Sequence, residues 1–452
     1  MDQTTELLSS YACDLRFEDL SPQVIHPVQR TLVDTLGCAI GGFSSEPGKI
    51  ARALASSVTS AAPSRVLGTK ETSAPDMASF ANSVMLRYLD CNDSYFSPGG
   101  GHPSDMIPAA LAMAGARGSD GRAVITAIAL AYEVFCRLSD QVVASELGWD
   151  QGIFGVIGAT CAAGKVMGLD KVQMGHAISL SVAPNLPLGV TRTGELSMWK
   201  GCATASATRA GVFSALLAEQ GMTGPDEPFE GRRGLWEQAV GDPVTLEAFG
   251  GGDEPFRILD TTFKSYPSQI HTQGPIGLAL ELCPQIPPDD IDTILIRAYK
   301  GAVSDSGTEP EKWDPKTRET ADHSIPYLVA VALQDGEITS ATFTPQRIQD
   351  TALRTLISKM TIQEEPDFTQ KYPGEYNCRI EITGRSGQRL AAHTAFPKGN
   401  RFNPLTDSEV EDKFRNLVSK ELGDSQCDRT LELAWSLDKL AHLDDLFDSL
   451  VV

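Results

Sequence analysis

Residues 376–396, YNCRIEITGRSGQRLAAHTAF, decide the fold class of this chain. YNCRIEI (376–382) and RLAAHTAF (389–396) alternate apolar with polar side chains, and Gly384-Arg385-Ser386-Gly387 between them is turn chemistry. That pattern predicts an antiparallel β-hairpin. Upstream, IDTILIRAY at Ile291–Tyr299 has the β-branched content of another strand. Helical patterns at Pro326–Leu333 and Pro345–Lys359 lie between them, so residues 261–397 read as an α+β domain.

Outside that region the texture is helical. From Leu7 to about Phe256 helix follows helix, as in the stripe Val124, Ile128, Ala131 and Phe135 behind the start signal Ser119-Asp120. The alanine-rich run Gly201–Gln220 would let neighbouring helices approach closely, and helical patterning returns at Ser408–Glu421 and Cys427–Phe447. The predicted class is therefore mainly α with α+β. A large all-helical domain (1–260 and 398–452) carries a smaller inserted α+β domain (261–397), with chain crossings near Lys264 and Lys398. A cleft between the two is the default place for a ligand.

Bulk properties narrow the function. A chain of 452 residues exceeds one compact core. A formal net charge of -21 argues against nucleic acid and anionic membrane partners, which need a basic footprint. Nine scattered cysteines without a CxxC pair read as reduced thiols. The opening MDQTTELLSS lacks a basic region followed by an apolar block, which predicts an unexported protein of the cytoplasm or a comparable matrix compartment.

Chemistry concentrates in DCNDSYFSPGGGHPSD (90–105). Asp90 and Asp93, three apart at the end of a helical run (77–89), are expected to share a face and raise each other's proton affinity, making one a general base. Gly99, Gly100 and Gly101 would let the backbone approach a ligand. His102 precedes a predicted helix start at Pro103-Ser104-Asp105, where the helix N-terminus keeps an imidazole neutral and attracts anions. The competing reading makes the aspartates turn caps, the glycines a turn, and His102 a helix-entry residue.

Three further motifs carry cations or acids. Lys200 in SMWKG lies directly ahead of the alanine-rich helix, where it either holds a carboxylate, stabilises an enolate-like charge or donates a proton, or simply reaches solvent. KSYPSQIH (264–271) places Lys264, Tyr266 and His271 around a proline bend at the domain boundary. ADHSIPY (321–327) sets His323 and Ser324 at a helix N-cap with Tyr327 facing inward from the first turn; His323 could equally be a cap alone. The sequence has no HExxH, GxSxG elbow, P-loop, metal-spaced His/Cys/Asp cluster or completed dinucleotide fingerprint, so an enzyme without metal or cofactor is expected.

Taken together, DCNDSYFSPGGGHPSD, SMWKG, KSYPSQIHTQ, TRETADHSIPY and FPKGNRFNPLTDSEVEDKF (396–414) resemble the MmgE/PrpD family, from RTLVDTLGCAIGG at Arg30 onward. Its members include 2-methylcitrate dehydratase, cis-aconitate decarboxylase and iminodisuccinate epimerase. The resemblance implies a helical domain with a smaller lid-like α+β domain, a metal-free homodimer and a small di- or tricarboxylate substrate. It carries the family's functional positions onto Asp90, Ser94, His102, Lys200, Lys264 and Tyr327.

Two departures stand out. Where the decarboxylase branch has histidine, this chain reads Gln269, with histidine only at His271, and Gly148-Trp149-Asp150-Gln151 fills a second such position. The loop also carries Ser97-Pro98-Gly99-Gly100 in place of the Trp and acidic residue of methylcitrate dehydratases.

The family's reactions make or consume a carbanion beside a carboxylate. The implied roles are His102, oriented by Asp90 or Asp93, moving the α-proton, and Lys200 and Lys264, helped by Arg192 or Arg209, holding carboxylates. Tyr327 or Ser94 would be the proton donor. A dehydratase ranks first, an epimerase that reprotonates the opposite face second, and a decarboxylase or an idle binding homologue behind them.

Overall fold

The computed structural model describes every residue, Met1–Val452. It divides into two compact units: Met1–Thr191, Gly201–Thr261 and Thr406–Val452 form the first, and Arg192–Lys200 with Thr262–Leu405 the second.

The first unit is built almost wholly of helices. Its centre is Gly121–Gln141, started by Asp120 (side chain to the Ala123 N–H), with Gly152–Met167 beside it. Both are buried along most of their length, because their small residues allow close approach. A Cβ on Gly211 would sit 2.8 Å from Ala159 Cβ, and one on Gly121 would meet the Leu437 carbonyl at 1.7 Å. Helix Pro75–Tyr88 opens with proline in its first turn and ends just before the 90–105 loop, which runs into a 3₁₀ turn (Pro103–Met106) and helix Ile107–Arg117. The positions of loop and helix entry thus follow local rules.

The second unit holds a four-stranded sheet. Its strands are β1 (Ile291–Ala298), β2 (Met360–Glu364), β3 (Cys378–Gly384) and β4 (Arg389–Thr394), in spatial order β2-β1-β3-β4. β3 and β4 form the expected hairpin, with Ile380 opposite Ala392 and Ile382 opposite Leu390. β1 runs antiparallel to β3, placing Ile294 and Ile296 against Ile382 and Ile380. Burying each of these isoleucines is worth about 1.5–3 kcal/mol, and a one-residue slip would turn them all outward.

The structure also revises several expected elements. β2, parallel to β1, was not anticipated, because Met360 is its one buried residue. The helix expected over Pro345–Lys359 is two, Pro345–Ile348 and Thr351–Ile357, since Asp350 caps the second by accepting from Ala352 N–H at 2.8 Å. The expected Cys427–Phe447 helix likewise breaks into Asp424–Trp435, a 3₁₀ turn at Leu437–Lys439, and Asp444–Ser449. No helix is long and apolar enough to cross a membrane.

Candidate active site

In the first unit the 90–105 loop folds around one buried guanidinium. Arg87, on the last turn of helix Pro75–Tyr88, is fully buried; its Nη1 donates to Asn92 Oδ1 at 2.5 Å and Asp90 Oδ1 at 3.2 Å, and its Nε lies 3.3 Å from Asp105 Oδ1. Burial alone would lower its proton affinity, but Asp105 and Asp90 outweigh that and raise it. Asn92 Nδ2 passes the network on to Ser104 Oγ (2.7 Å) and Asp105 Oδ1 (3.0 Å). Asp90 takes a left-handed backbone, φ +50°, tolerable for aspartate among non-glycine residues. The expected helical i,i+3 pair of Asp90 and Asp93 is therefore not formed.

Asp93 has a different role. Its Oδ2 accepts from Tyr132 O–H at 2.7 Å and its Oδ1 from Ser104 N–H at 3.1 Å. Burial, against those hydrogen bonds and with some help from the Asp34 charge, pushes its carboxyl up to about 7. Its backbone carbonyl, rather than its carboxylate, accepts from His102 Nδ1 at 2.7 Å, and Ser94 Oγ is 3.1 Å from the same nitrogen. A carbonyl only accepts, so Nδ1 carries a proton, and Nε2 is the basic nitrogen of the neutral ring. Nε2 lies 4.0 Å from Asp90 Oδ1, with the His102 side chain 14% exposed. Gln151 Oε1 holds the His102 N–H at 2.8 Å.

The glycines of this loop serve packing. A Cβ on Gly99 would lie 2.4 Å from the Ser139 carbonyl oxygen and 2.5 Å from that of Val142, and one on Gly101 would lie 1.9 Å from Gln151 Oε1. The expected approach to a ligand is instead an approach to the chain itself. From the C-terminal segment, Lys413 reaches the loop by donating to the Cys91 carbonyl at 2.7 Å while pairing with buried Asp34 at 2.5 Å.

The second unit centres on a buried carboxylate. Asp322 is fully buried; Lys200 Nζ lies 3.1 and 3.2 Å from its two oxygens, Arg318 Nη1 3.0 Å from Oδ2, and His323 Nδ1 2.5 Å from Oδ1. Burial would raise its carboxyl, yet Lys200, His323 and Arg318 together hold it below the usual range. Segment 192–200 is fastened there by Leu196 N–H to Thr320 Oγ1 (3.2 Å) and Thr317 O–H to the Leu196 carbonyl (3.3 Å), with Arg192 Nη1 on the Lys200 carbonyl (2.9 Å). Such an arrangement is an ion-pair network in which every carboxylate oxygen already meets a donor.

The remaining predicted residues of this unit are distributed around that network. Gln269 donates its N–H to the Asp322 carbonyl at 2.9 Å and accepts the His271 N–H on Oε1 at 2.6 Å. His271 is tied by Nδ1 to Tyr299 O–H, with Nε2 3.6 Å from Asp305, inside a cluster with Tyr372 and Tyr376. Lys264 is fully buried. Tyr327 faces inward as expected, but its hydroxyl donates to the Thr342 carbonyl at 2.5 Å, and burial raises its proton affinity further. In the first unit, Arg209 is half-exposed and pairs with Asp76 at 3.1 Å, apart from the loop network. Reading residues by type passed over Arg87, Asn92, Tyr132, Arg318 and Asp322, although the adjacency of Asp322 to His323 was visible in ADHS.

The chain matches the model of the MmgE/PrpD N-terminal domain over residues 6–247 and that of the MmgE/PrpD C-terminal domain over residues 266–439. It is 26% identical to the 2-methylcitrate dehydratase-like protein oryR of Aspergillus oryzae, covering 95% of this chain and 92% of that one. It is also 26% identical to the 2-methylcitrate dehydratase of Escherichia coli K12 (90% and 88% covered) and 23% identical to human cis-aconitate decarboxylase (96% and 92%).

Proposed function

Because the chain belongs to the MmgE/PrpD family, we propose that it is a hydro-lyase that removes water from a small hydroxy di- or tricarboxylate of the 2-methylcitrate type, forming a carbanion beside a carboxylate. The observation that carries the reading is His102, its Nδ1–H fixed on the Asp93 carbonyl and its Nε2 turned to the Asp90 side. In the neutral ring that nitrogen is the one able to accept a proton.

His102 Nε2 takes the α-proton, and the Asp90 carboxylate stabilises the imidazolium that results. Asp93 and Ser94 fix the ring, so its orientation costs little at the moment of transfer. The substrate's carboxylates need cations, and a chain of net charge -21 must concentrate them. Lys200 and Arg318, both on Asp322, are the cations assigned to those carboxylates. Lys264 and Arg192 are assigned to the same task.

Dehydration is favoured by the names of several relatives, and decarboxylation is disfavoured by Gln269 and Gln151, both engaged in holding backbone N–H groups. The assembly is proposed to be a homodimer, checked by light scattering.

Proton NMR in D2O with 2-methylcitrate, citrate, cis-aconitate and small amino- or imino-dicarboxylates tests the reading. New vinyl signals from a hydroxy acid are expected. Deuterium entering an α-position with no vinyl product would move the assignment to an epimerase, and loss of carbon dioxide from cis-aconitate would move it to a decarboxylase.

A further inference from the structure

Two of the stretches that carry the family resemblance, RTLVDTLGCAIGG (30–42) and the DKF end of the C-terminal one (412–414), lie outside the reacting groups. The first unit brings both of them to the 90–105 loop. Asp34, Gly37, Cys38 and Gly41 share one face of helix Pro22–Gly41 by their spacing, and the two glycines leave room there for neighbours. A Cβ on Gly37 would stand 3.1 Å from Phe414 Cδ2, and one on Gly41 2.8 Å from Leu89 Cδ1. Through that close approach Lys413, on helix Asp407–Val418, pairs with Asp34 at 2.5 Å and donates to the Cys91 carbonyl at 2.7 Å. The Cys38 and Cys91 side chains also share a hydrogen bond. We propose that Lys413, held by Asp34, is a positioning residue that fixes Asp90 for the proton transfer at His102, in a role separable from stability. The inference rests on the reading of His102 as the base.

Three observations support it. First, Cys91 directly follows Asp90, whose backbone at φ +50° is one that non-glycine residues keep where their surroundings over-determine it. Arg87 holds this corner by its side chains, on Asp90 Oδ1 at 3.2 Å and Asn92 Oδ1 at 2.5 Å, and Lys413 holds the backbone between them. Asp90 Oδ1 lies 4.0 Å from His102 Nε2, so a turn of the chain at Cys91 displaces the carboxylate from the imidazolium formed in the reaction. Second, the donor is charged. Burial would lower the proton affinity of Lys413, but Asp34 outweighs that and raises it, and a charged donor makes the stronger hydrogen bond. Third, stability alone does not call for this pair, because apolar side chains of similar volume stabilise a core as well as a buried ion pair does. What they cannot supply is the bond to the loop carbonyl.

Removing the pair as a whole separates the two roles. Asp34→Leu combined with Lys413→Met exchanges both charges for apolar side chains, and its melting temperature is expected to stay within about 5 °C of wild type. Its kcat for vinyl formation or α-deuterium entry in D2O is expected to fall about tenfold or more, with KM within about threefold. On an Asp90→Asn background the same replacement should cost less than about twofold, since the group it positions is already gone. Wild-type kcat in the folded double variant, or the tenfold loss repeated in full on the Asp90→Asn background, would make the pair structural and overturn the proposal. Where the double variant does not fold, Lys413→Met alone, assayed below its melting temperature per folded molecule, carries the same two outcomes. Failure of both to fold would tie Lys413 to stability and overturn the separable role. The reading beneath it fails differently: a wild-type enzyme that acts on none of the acids, or a His102→Gln variant as fast as wild type, would remove His102 as the base, and the assignment would fall with it.

Discussion

The two buried charge networks of this protein have opposite polarity. In the first unit several acids surround one guanidinium: Asp90 and Asp105 on Arg87, with Asp93 close by on Tyr132 and Ser104. In the second, two cations and a histidine surround one acid: Lys200, Arg318 and His323 on Asp322. Both obey the rule that a buried charge must be paired. The sign of the excess suits each to a different task. In the proposed reading the acid-rich surround stabilises a histidine that gains a proton, and the cation-rich surround suits anions.

The comparison breaks most visibly at Asp322. Asp322→Ala leaves Lys200 and Arg318 buried beside each other without their common partner, and should cost about 3–5 kcal/mol in urea denaturation. A loss below about 1 kcal/mol would mean that the cations reach solvent and that the second network is not a buried one.

Asp93 sharpens the other side through pH. Its folded-state carboxyl stands at about 7 against an ordinary 3.8, so between those values the folded protein keeps a proton that the unfolded chain has lost. Stability contributed at this site is therefore present at low pH and declines as pH rises through that window. At roughly 1.4 kcal/mol per unit, the wild type should lose on the order of 3 kcal/mol more than Asp93→Asn between pH 4 and 7.5. Parallel pH profiles for the two proteins would remove Asp93 as the source of the slope.

Gly99→Ala probes packing beneath the loop. With carbonyl oxygens 2.4 and 2.5 Å from the new Cβ, the backbone must shift, at a cost of about 1–3 kcal/mol and with a fall in kcat through displacement of His102. A neutral substitution would show that the loop has slack. The smallest effect is expected at an exposed pair: Arg117, 2.6 Å from Glu219 and about a third accessible, should lose less than about 1 kcal/mol as alanine. A larger loss there would erase the contrast between buried and surface charge.

How much of this was legible in the sequence depends on the range of the interactions. The β3–β4 hairpin was readable because Cys378, Ile380 and Ile382 alternate within a few residues of a glycine turn. The edge strand β2 was not, since four of its five residues are not buried. Asp350 stops one helix and starts the next, a role hidden by the apolar pattern on either side. In the loop, Asp90, Asp93 and His102 were suggested by residue type and proximity. Arg87 reads as an ordinary solvent-facing helix residue until folding buries it, and Asn92 carries no signal apart from its neighbours. Asp322 meets Lys200 across 122 positions of sequence, and local pattern contains nothing of that pairing. Charges predicted to act by adjacency, such as Asp90 on Asp93, instead act through space on Arg87 and through the backbone on His102.

The most direct test of the account follows vinyl protons by NMR in D2O with 2-methylcitrate, comparing wild type with His102→Gln at matched folding judged by melting temperature. Steady formation of a vinyl product by the wild type, reduced at least about a hundredfold in the variant, is the predicted result. A variant that dehydrates at the wild-type rate would contradict the assignment of proton abstraction to the acid-rich loop.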